Sequence, residues 1–150
     1  MGAYQRTQHA SWMWWIFLPV GAILAAAWFT DPSIELLVSA LVAIAVIGIA
    51  GVIFTRLTIR VDANGVTWHL GWGWPGGALA TSEIERAEIT RTSLFEGWGI
   101  HWTIWHGWLW NVGGFQAVEI TKTDGSRITL GTDDPQGLFQ AIERFRKGAA

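Results

Sequence analysis

The chain has 150 residues, no cysteine and a formal net charge of −2 at neutral pH. The absence of cysteine excludes disulfides, thiolate zinc sites and cysteine nucleophiles. From Thr55 onward, nine Lys and Arg residues face ten Asp and Glu residues. This near balance argues against a nucleic-acid-binding surface and against a polybasic membrane anchor.

Two apolar runs, residues 12–29 and 36–54, fill the first third of the chain. The second run contains no charged residue and no proline, and a helix of about 19 residues spans about 28 Å, close to the hydrocarbon thickness of a bilayer. Tryptophans bracket the first run, as is typical of rings at the lipid headgroups; they are Trp12, Trp14, Trp15 and Trp28. The pattern predicts a two-helix transmembrane hairpin over residues 12–54.

A cleaved signal peptide is the alternative for the first run. Arg6 precedes the apolar stretch, and the alanines at 25–27 match a small-residue cleavage site. A second full-length apolar run follows at once, which favours the uncleaved hairpin.

The charges flanking the runs predict the orientation. Arg6 precedes the first run, Arg56 and Arg60 follow the second, and the loop at 30–35 contains neither Lys nor Arg. The positive-inside rule places both termini in the cytoplasm. The protein is therefore expected to be a multi-pass inner (plasma) membrane protein with a cytoplasmic tail at 1–11 and a cytoplasmic domain at 55–150.

The domain from residue 55 onward has the alternation of β-strands. Leu57, Ile59 and Val61 alternate with polar residues, and Asn64-Gly65 indicates a tight hairpin turn. The same pattern recurs around Asp124-Gly125, and residues 84–89 and 100–104 indicate further strands. About six or seven strands in an antiparallel sandwich or barrel are expected.

The chain ends in a predicted amphipathic helix. Residues 132–135, with the sequence Thr-Asp-Asp-Pro, offer capping side chains followed by a proline near the first turn. One face is apolar at Leu138, Phe139, Ile142 and Phe145.

Several motifs of the domain resemble those of the bacterial PH-like (pleckstrin-homology) domain family. They are GWGI at 97–100, WLWNVGGFQAVEI at 108–120, DGSRI at 124–128 and GTDDP at 131–135. The resemblance covers roughly residues 55–147 and implies a curved antiparallel sheet closed by a C-terminal helix. His101 stands where relatives often carry arginine. The predicted fold is thus α+β to mainly β: a transmembrane hairpin, then a PH-like β-sandwich or barrel with a closing helix.

Residues 71–76 match G-x-G-x-x-G, but Pro75 and the glycines beside it prevent the helix that a dinucleotide site needs. Either this segment is a flexible loop between strands, or Trp72 and Trp74 are anchors at the membrane interface.

A second group of aromatic residues surrounds a predicted hairpin tip at His106-Gly107. Trp105, His106, Trp108 and Trp110 form a candidate interaction patch, with packing in the core as the alternative. A metal site at His69, His101 and His106 is not favoured, because no carboxylate or thiol lies at ligand spacing. No catalytic residue, cofactor or metal is predicted.

The resemblance to PH domains raises phosphoinositide binding. Such recognition typically uses basic side chains around the first hairpin loop, whereas residues 62–65 contain Asp62 and no cation. No specific phosphoinositide binding is expected.

The leading hypothesis is a non-enzymatic, membrane-anchored interaction or assembly module that contacts another copy or an unknown protein partner. The alternative is a membrane-proximal sensor that binds a small apolar ligand. This alternative predicts a pocket that is lined by Trp rings and contains one polar group, such as His101 or Arg60.

Overall fold

The computed structural model describes residues 3–10, 14–30 and 33–148, leaving the side chains of Trp14, Ile16 and Leu94 undescribed. Within these residues the chain forms nine strands and three α-helices. The architecture is α+β: apolar helix near the N-terminus, two β-sheets and one C-terminal helix.

The first sheet has four antiparallel strands in the order β1-β2-β3-β4. They are β1 (Tyr4–His9), β2 (Arg56–Asp62), β3 (Gly65–Leu70) and β4 (Gly76–Ala80). The predicted Asn64-Gly65 turn is confirmed, since Asp62 pairs with Gly65 across it. The sequence pattern does not predict β4, because two of its five residues are glycines.

Strand β1 corrects the expectation of a separate N-terminal tail at residues 1–11. Residues 4–9 pair with β2 along its whole length, from Tyr4 opposite Val61 to His9 opposite Arg56. The strand lies at a sheet edge and has no fully buried residue, so its sequence shows no apolar alternation. The folded domain therefore includes chain from both sides of the apolar helices.

Two helices connect β1 to β2. They are α1 (Trp14–Thr30) and α2 (Ile34–Phe54), and they contact each other. The Ser33 side chain caps α2 by accepting a hydrogen bond from the Leu36 N–H. In the described part of the chain, α2 is the one helix long and apolar enough to cross a bilayer, and the apolar stretch Phe17–Thr30 of α1 is shorter.

The second sheet has five strands in the order β5-β8-β9-β7-β6. They are β5 (Ile84–Arg91), β6 (Gly99–Thr103), β7 (Gly107–Asn111), β8 (Gln116–Lys122) and β9 (Arg127–Gly131). Both predicted hairpins of this sheet form, β6–β7 and β8–β9. One expectation needs correction: β7 and β9 pair in parallel, because the β8–β9 hairpin lies between β5 and β7, so the sheet is mixed.

The core lies between the two sheets and helix α3 (Pro135–Gly148). Leu57 and Leu70 of the first sheet, Ile120 and Leu130 of the second, and Leu138 of α3 are all fully buried. The apolar face predicted for the C-terminal helix is confirmed, since α3 packs against β5, β2 and β8 through it.

Candidate functional site

The loop between β3 and β4 holds two exposed tryptophans at the end of α2. Trp72 is 84% exposed and Trp74 is 75% exposed. The base of the loop is fixed by hydrogen bonds, from the Leu70 N–H to the Pro75 carbonyl (2.8 Å) and from the Gly71 N–H to the Arg56 carbonyl (3.0 Å). Because Arg56 follows α2 by two residues, the loop is fixed relative to that helix.

Gly71 allows the loop to rest on the last turn of α2. Its φ is +51°, and a Cβ at this position would lie 3.2 Å from both the Ile53 Cα and the Val52 carbonyl oxygen. Beyond this contact, Trp72 and α2 line a shallow, open apolar cavity of ≈ 500 Å³. The helix residues in its lining are Ala45, Gly48, Ile49, Val52 and Ile53.

On the other side, Trp72 borders a shallow, open polar cavity of ≈ 570 Å³ on the outer face of the first sheet. Alternation along the strands produces this face, since residues that pair across strands point to the same side. Its lining is Gln5, Thr7, His9, Arg56, Thr58, His69, Gly71 and Trp72. The lining contains no carboxylate.

The β6–β7 hairpin presents a second apolar surface. Trp102 and Trp108 pair directly across the two strands and are 60% and 52% exposed, and Ile104 and Trp105 at the tip are 69% and 70% exposed. We call these four residues the hairpin patch. Strand β6 is also an edge of the second sheet, so its backbone is available at one side.

The other two residues of the predicted patch point elsewhere. Trp110 packs against Trp68 of the core. The His106 side chain is only 15% exposed and lies between two carboxylates: its Nε2 is 3.3 Å from Glu96 Oε1, and its Nδ1 is 2.9 Å from Glu119 Oε2. These two residues do not contribute to the exposed surface.

The surroundings of His106 favour a structural role. The contact with Glu119 is a hydrogen bond, which fixes the orientation of the imidazole ring, whereas Glu96 Oε1 makes no hydrogen bond within the described residues. Arg127 supports the same hairpin, since its Nη2 donates to the Ile104 carbonyl (3.0 Å) and its Nη1 lies 3.7 Å from Glu119 Oε1. Across the described residues, no group of three or more His, Asp or Glu side chains could hold a metal ion.

The tryptophans predicted at the membrane interface of the helices are only partly described. Trp12 and the side chain of Trp14 lie outside the described residues. Trp15 is exposed on α1, and Trp28 meets Phe29 edge to face at 5.7 Å.

Polar contacts dock β1 onto the start of α3. Arg6 makes two hydrogen bonds to the Asp133 carboxylate, both 2.9 Å, which hold the pKa of that carboxyl below its usual range. The Tyr4 hydroxyl donates to Asp134 (3.2 Å). Burial, followed by the charge of Asp134 and this hydrogen bond, raises the pKa of Tyr4 to about 12.

Comparison of this chain with protein-family models, curated proteins and solved structures found no match. Any function must therefore be inferred from the geometry of the described residues. It brings Trp72 and Trp74 to the end of α2, together with a cationic cavity that the sequence did not predict. The residues of that cavity are far apart along the chain, from Gln5 to Trp72, and only the β1–β2 pairing brings them together.

Proposed function

We propose that this protein is a non-enzymatic assembly module held at the inner membrane by α1 and α2, with a cytoplasmic PH-like domain that associates with a second copy of itself. The exposed hairpin patch is the observation that carries the proposal. Four large apolar side chains gathered at one hairpin are unusual on a monomer surface, and such patches commonly mark interaction sites.

The β1–β2 pairing supports two membrane crossings. His9 pairs with Arg56, and the Ala10 N–H donates to the Thr55 carbonyl at 2.7 Å. The chain thus leaves the sheet and returns to it at the same point. An excursion of this form crosses a bilayer an even number of times, which agrees with the positive charges at Arg6, Arg56 and Arg60.

A second copy is the proposed partner because anchoring holds every copy at the same height and in the same orientation relative to the bilayer. The same patch then faces the same patch on a neighbour, as a two-fold symmetric interface requires. Confinement to the membrane also raises the effective concentration of the partner. Charge does not oppose the contact, since all four patch residues are uncharged.

The mass of the full-length protein in nanodiscs or detergent, measured by light scattering, tests this proposal. We expect a discrete oligomer that dissociates when Trp105 and Trp108 are both replaced by Ser. The matched control is Trp74→Ser with Phe95→Ser, which also removes two exposed aromatic side chains but leaves the patch intact. A monomer in the unmodified protein, or equal dissociation in both variants, would contradict the proposal.

The sensor alternative receives less support. Arg60 does line a cavity of ≈ 610 Å³ between the β2–β3 turn and the end of α3, but the described lining of that cavity contains no tryptophan. Its guanidinium is also paired with Asp62 at 3.2 Å.

A further inference from the structure

We propose that the two cavities separated by Trp72 form one binding site for a membrane phospholipid with an anionic, amine-free headgroup. The phosphate would occupy the cationic cavity on the first sheet, and an acyl chain would lie along α2. This inference rests on the proposal that α2 spans the membrane.

The shape of the site matches an amphipathic ligand. The cavity on the α2 side is lined by Ala45, Gly48, Ile49, Val52, Ile53 and Trp72, all of them apolar or glycine. The cavity on the sheet side holds hydroxyls, imidazoles and a guanidinium. Trp72 lines both cavities, so it lies at the boundary between polar and apolar surroundings. Tryptophan prefers the corresponding position in a bilayer, the interface between headgroups and hydrocarbon.

Arg56 is the central group of the cationic cavity. Its side chain has no ion pair or hydrogen bond with any other residue in the described part of the chain, and it is only partly exposed. The other arginine on this strand face, Arg60, is paired with Asp62. An unpaired guanidinium next to a membrane-spanning segment is suited to bind a phosphate through two parallel hydrogen bonds.

The neighbouring side chains can complete the coordination of a phosphate. His9 and His69 offer imidazole N–H groups. The Thr7 and Thr58 hydroxyls share a hydrogen bond of 3.0 Å, which leaves one hydroxyl proton of the pair to donate to a phosphate. The absence of a carboxylate from the lining leaves an ammonium group of a lipid such as phosphatidylethanolamine without a negatively charged partner. The site should therefore prefer phosphatidylglycerol.

This site differs in place and chemistry from a phosphoinositide site at the first hairpin loop. Asp62 in that loop lies at the opposite end of β2 from Arg56, about 20 Å away at 3.4 Å per residue. The prediction that the loop itself binds no phosphoinositide is unaffected.

Native mass spectrometry of the detergent-solubilised full-length protein tests the proposal, with phosphatidylglycerol, phosphatidylethanolamine and inorganic phosphate as probes. We expect phosphatidylglycerol to bind at least about tenfold more weakly to Arg56→Gln, which loses a bidentate charged partner. Arg60→Gln is the matched control on the same face and should change binding less than about twofold, because Arg60 already pairs with Asp62. Arg56→Lys, which keeps the charge, should lie between the two.

Two further measurements, the binding of phosphatidylglycerol to Trp72→Ala and its competition with inorganic phosphate, distinguish a lipid ligand from free phosphate. Loss of the ring should weaken phosphatidylglycerol binding, and inorganic phosphate should not displace the lipid. Equal losses in Arg56→Gln and Arg60→Gln, equal binding of both lipids, or displacement by inorganic phosphate would overturn the assignment. Circular dichroism spectra of each variant show that the fold is kept.

Alkaline extraction of the membranes that contain the protein, carried out before detergent is added, distinguishes the two proposals. Extraction of the protein by alkali would overturn both the proposed membrane anchoring and the proposed lipid site. A protein that stays in the membrane but holds no phosphatidylglycerol overturns the lipid site alone.

Discussion

The rings of Trp68 and Trp110 meet edge to face, with centroids 5.8 Å apart and planes inclined by 73°. Trp68 belongs to β3 in the first sheet and Trp110 to β7 in the second, so the pair joins the two sheets. Trp68 is almost fully buried. These two rings therefore differ from the exposed Trp102, Trp105 and Trp108, because they hold the two sheets together.

Replacement of Trp110 by Ala should lower the stability of the domain far more than replacement of Trp105. Removing a large packed ring leaves a cavity and costs about 3 kcal/mol, whereas a change at an exposed tip position usually stays within about 0.5 kcal/mol. Thermal unfolding followed by circular dichroism, in one detergent for all variants, measures the difference.

Trp110→Phe serves as the control for this prediction, because it keeps an aromatic ring against Trp68 and should recover most of the lost stability. If Trp105→Ala lowered the unfolding temperature as much as Trp110→Ala, the tip of the β6–β7 hairpin would be part of the core.

The contrast between Trp108 and Trp110 shows a limit of sequence prediction. The two rings share one face of β7, because they lie two residues apart on a strand. Their difference comes from position along the strand, since Trp110 lies opposite Trp68 and Trp108 pairs with Trp102 at the exposed end. Sequence pattern gives the face of a side chain but not what lies across from it.

The elements that the sequence predicts well are those with local signals. The turns at Asn64-Gly65 and Asp124-Gly125 and the apolar face of α3 depend on neighbouring residues. Strand β1 depends on pairing with a strand about fifty residues away in sequence, as does the cavity around Arg56. The carboxylates around His106 are also invisible to spacing rules, because Glu96 and Glu119 belong to different segments.

The ionisation of Tyr4 reports directly on the docking of β1. Tyr4 is the one tyrosine of the chain, so the near-ultraviolet absorbance of phenolate follows it alone. We expect a pKa of about 12, raised by burial first and by Asp134 second. The folded-state pKa lies above the ordinary value of about 10. The contribution of protonated Tyr4 to the free energy of unfolding is therefore fully present below that ordinary value, and it is lost as the pH rises through the raised pKa.

Asp134→Asn should lower the pKa of Tyr4, since it removes the negative charge. An asparagine oxygen can still accept the capping hydrogen bond that the Gly137 N–H of α3 donates to Asp134 (3.0 Å). Asp133→Asn is the matched control; it removes a neighbouring charge that is paired with Arg6 and should leave the pKa of Tyr4 near its original value. Circular dichroism during the titration shows that the fold persists. Titration of the unmodified protein near the ordinary value would mean that β1 is not docked against α3.

Gly107, at the start of β7, should tolerate no side chain. Its φ is +64°, and a Cβ there would collide with the carbonyl oxygen of Arg127 on β9. Gly97 has a similar φ of +70° but has nothing within 4 Å of its Cβ position. A substitution at either glycine strains the backbone to a similar extent. The difference between the two losses of stability therefore measures the cost of the collision at position 107.

Alanine at position 97 should therefore cost about 1 kcal/mol, which is the strain of a left-handed backbone alone. Alanine at position 107 should cost about 1–3 kcal/mol more, because the parallel β7–β9 contact must open to admit the methyl group. Asparagine, which tolerates positive φ, should be nearly neutral at 97 and should remain disruptive at 107. Unfolding temperatures of the four variants measure these costs, and equal losses at both positions would contradict the close approach of β7 to β9.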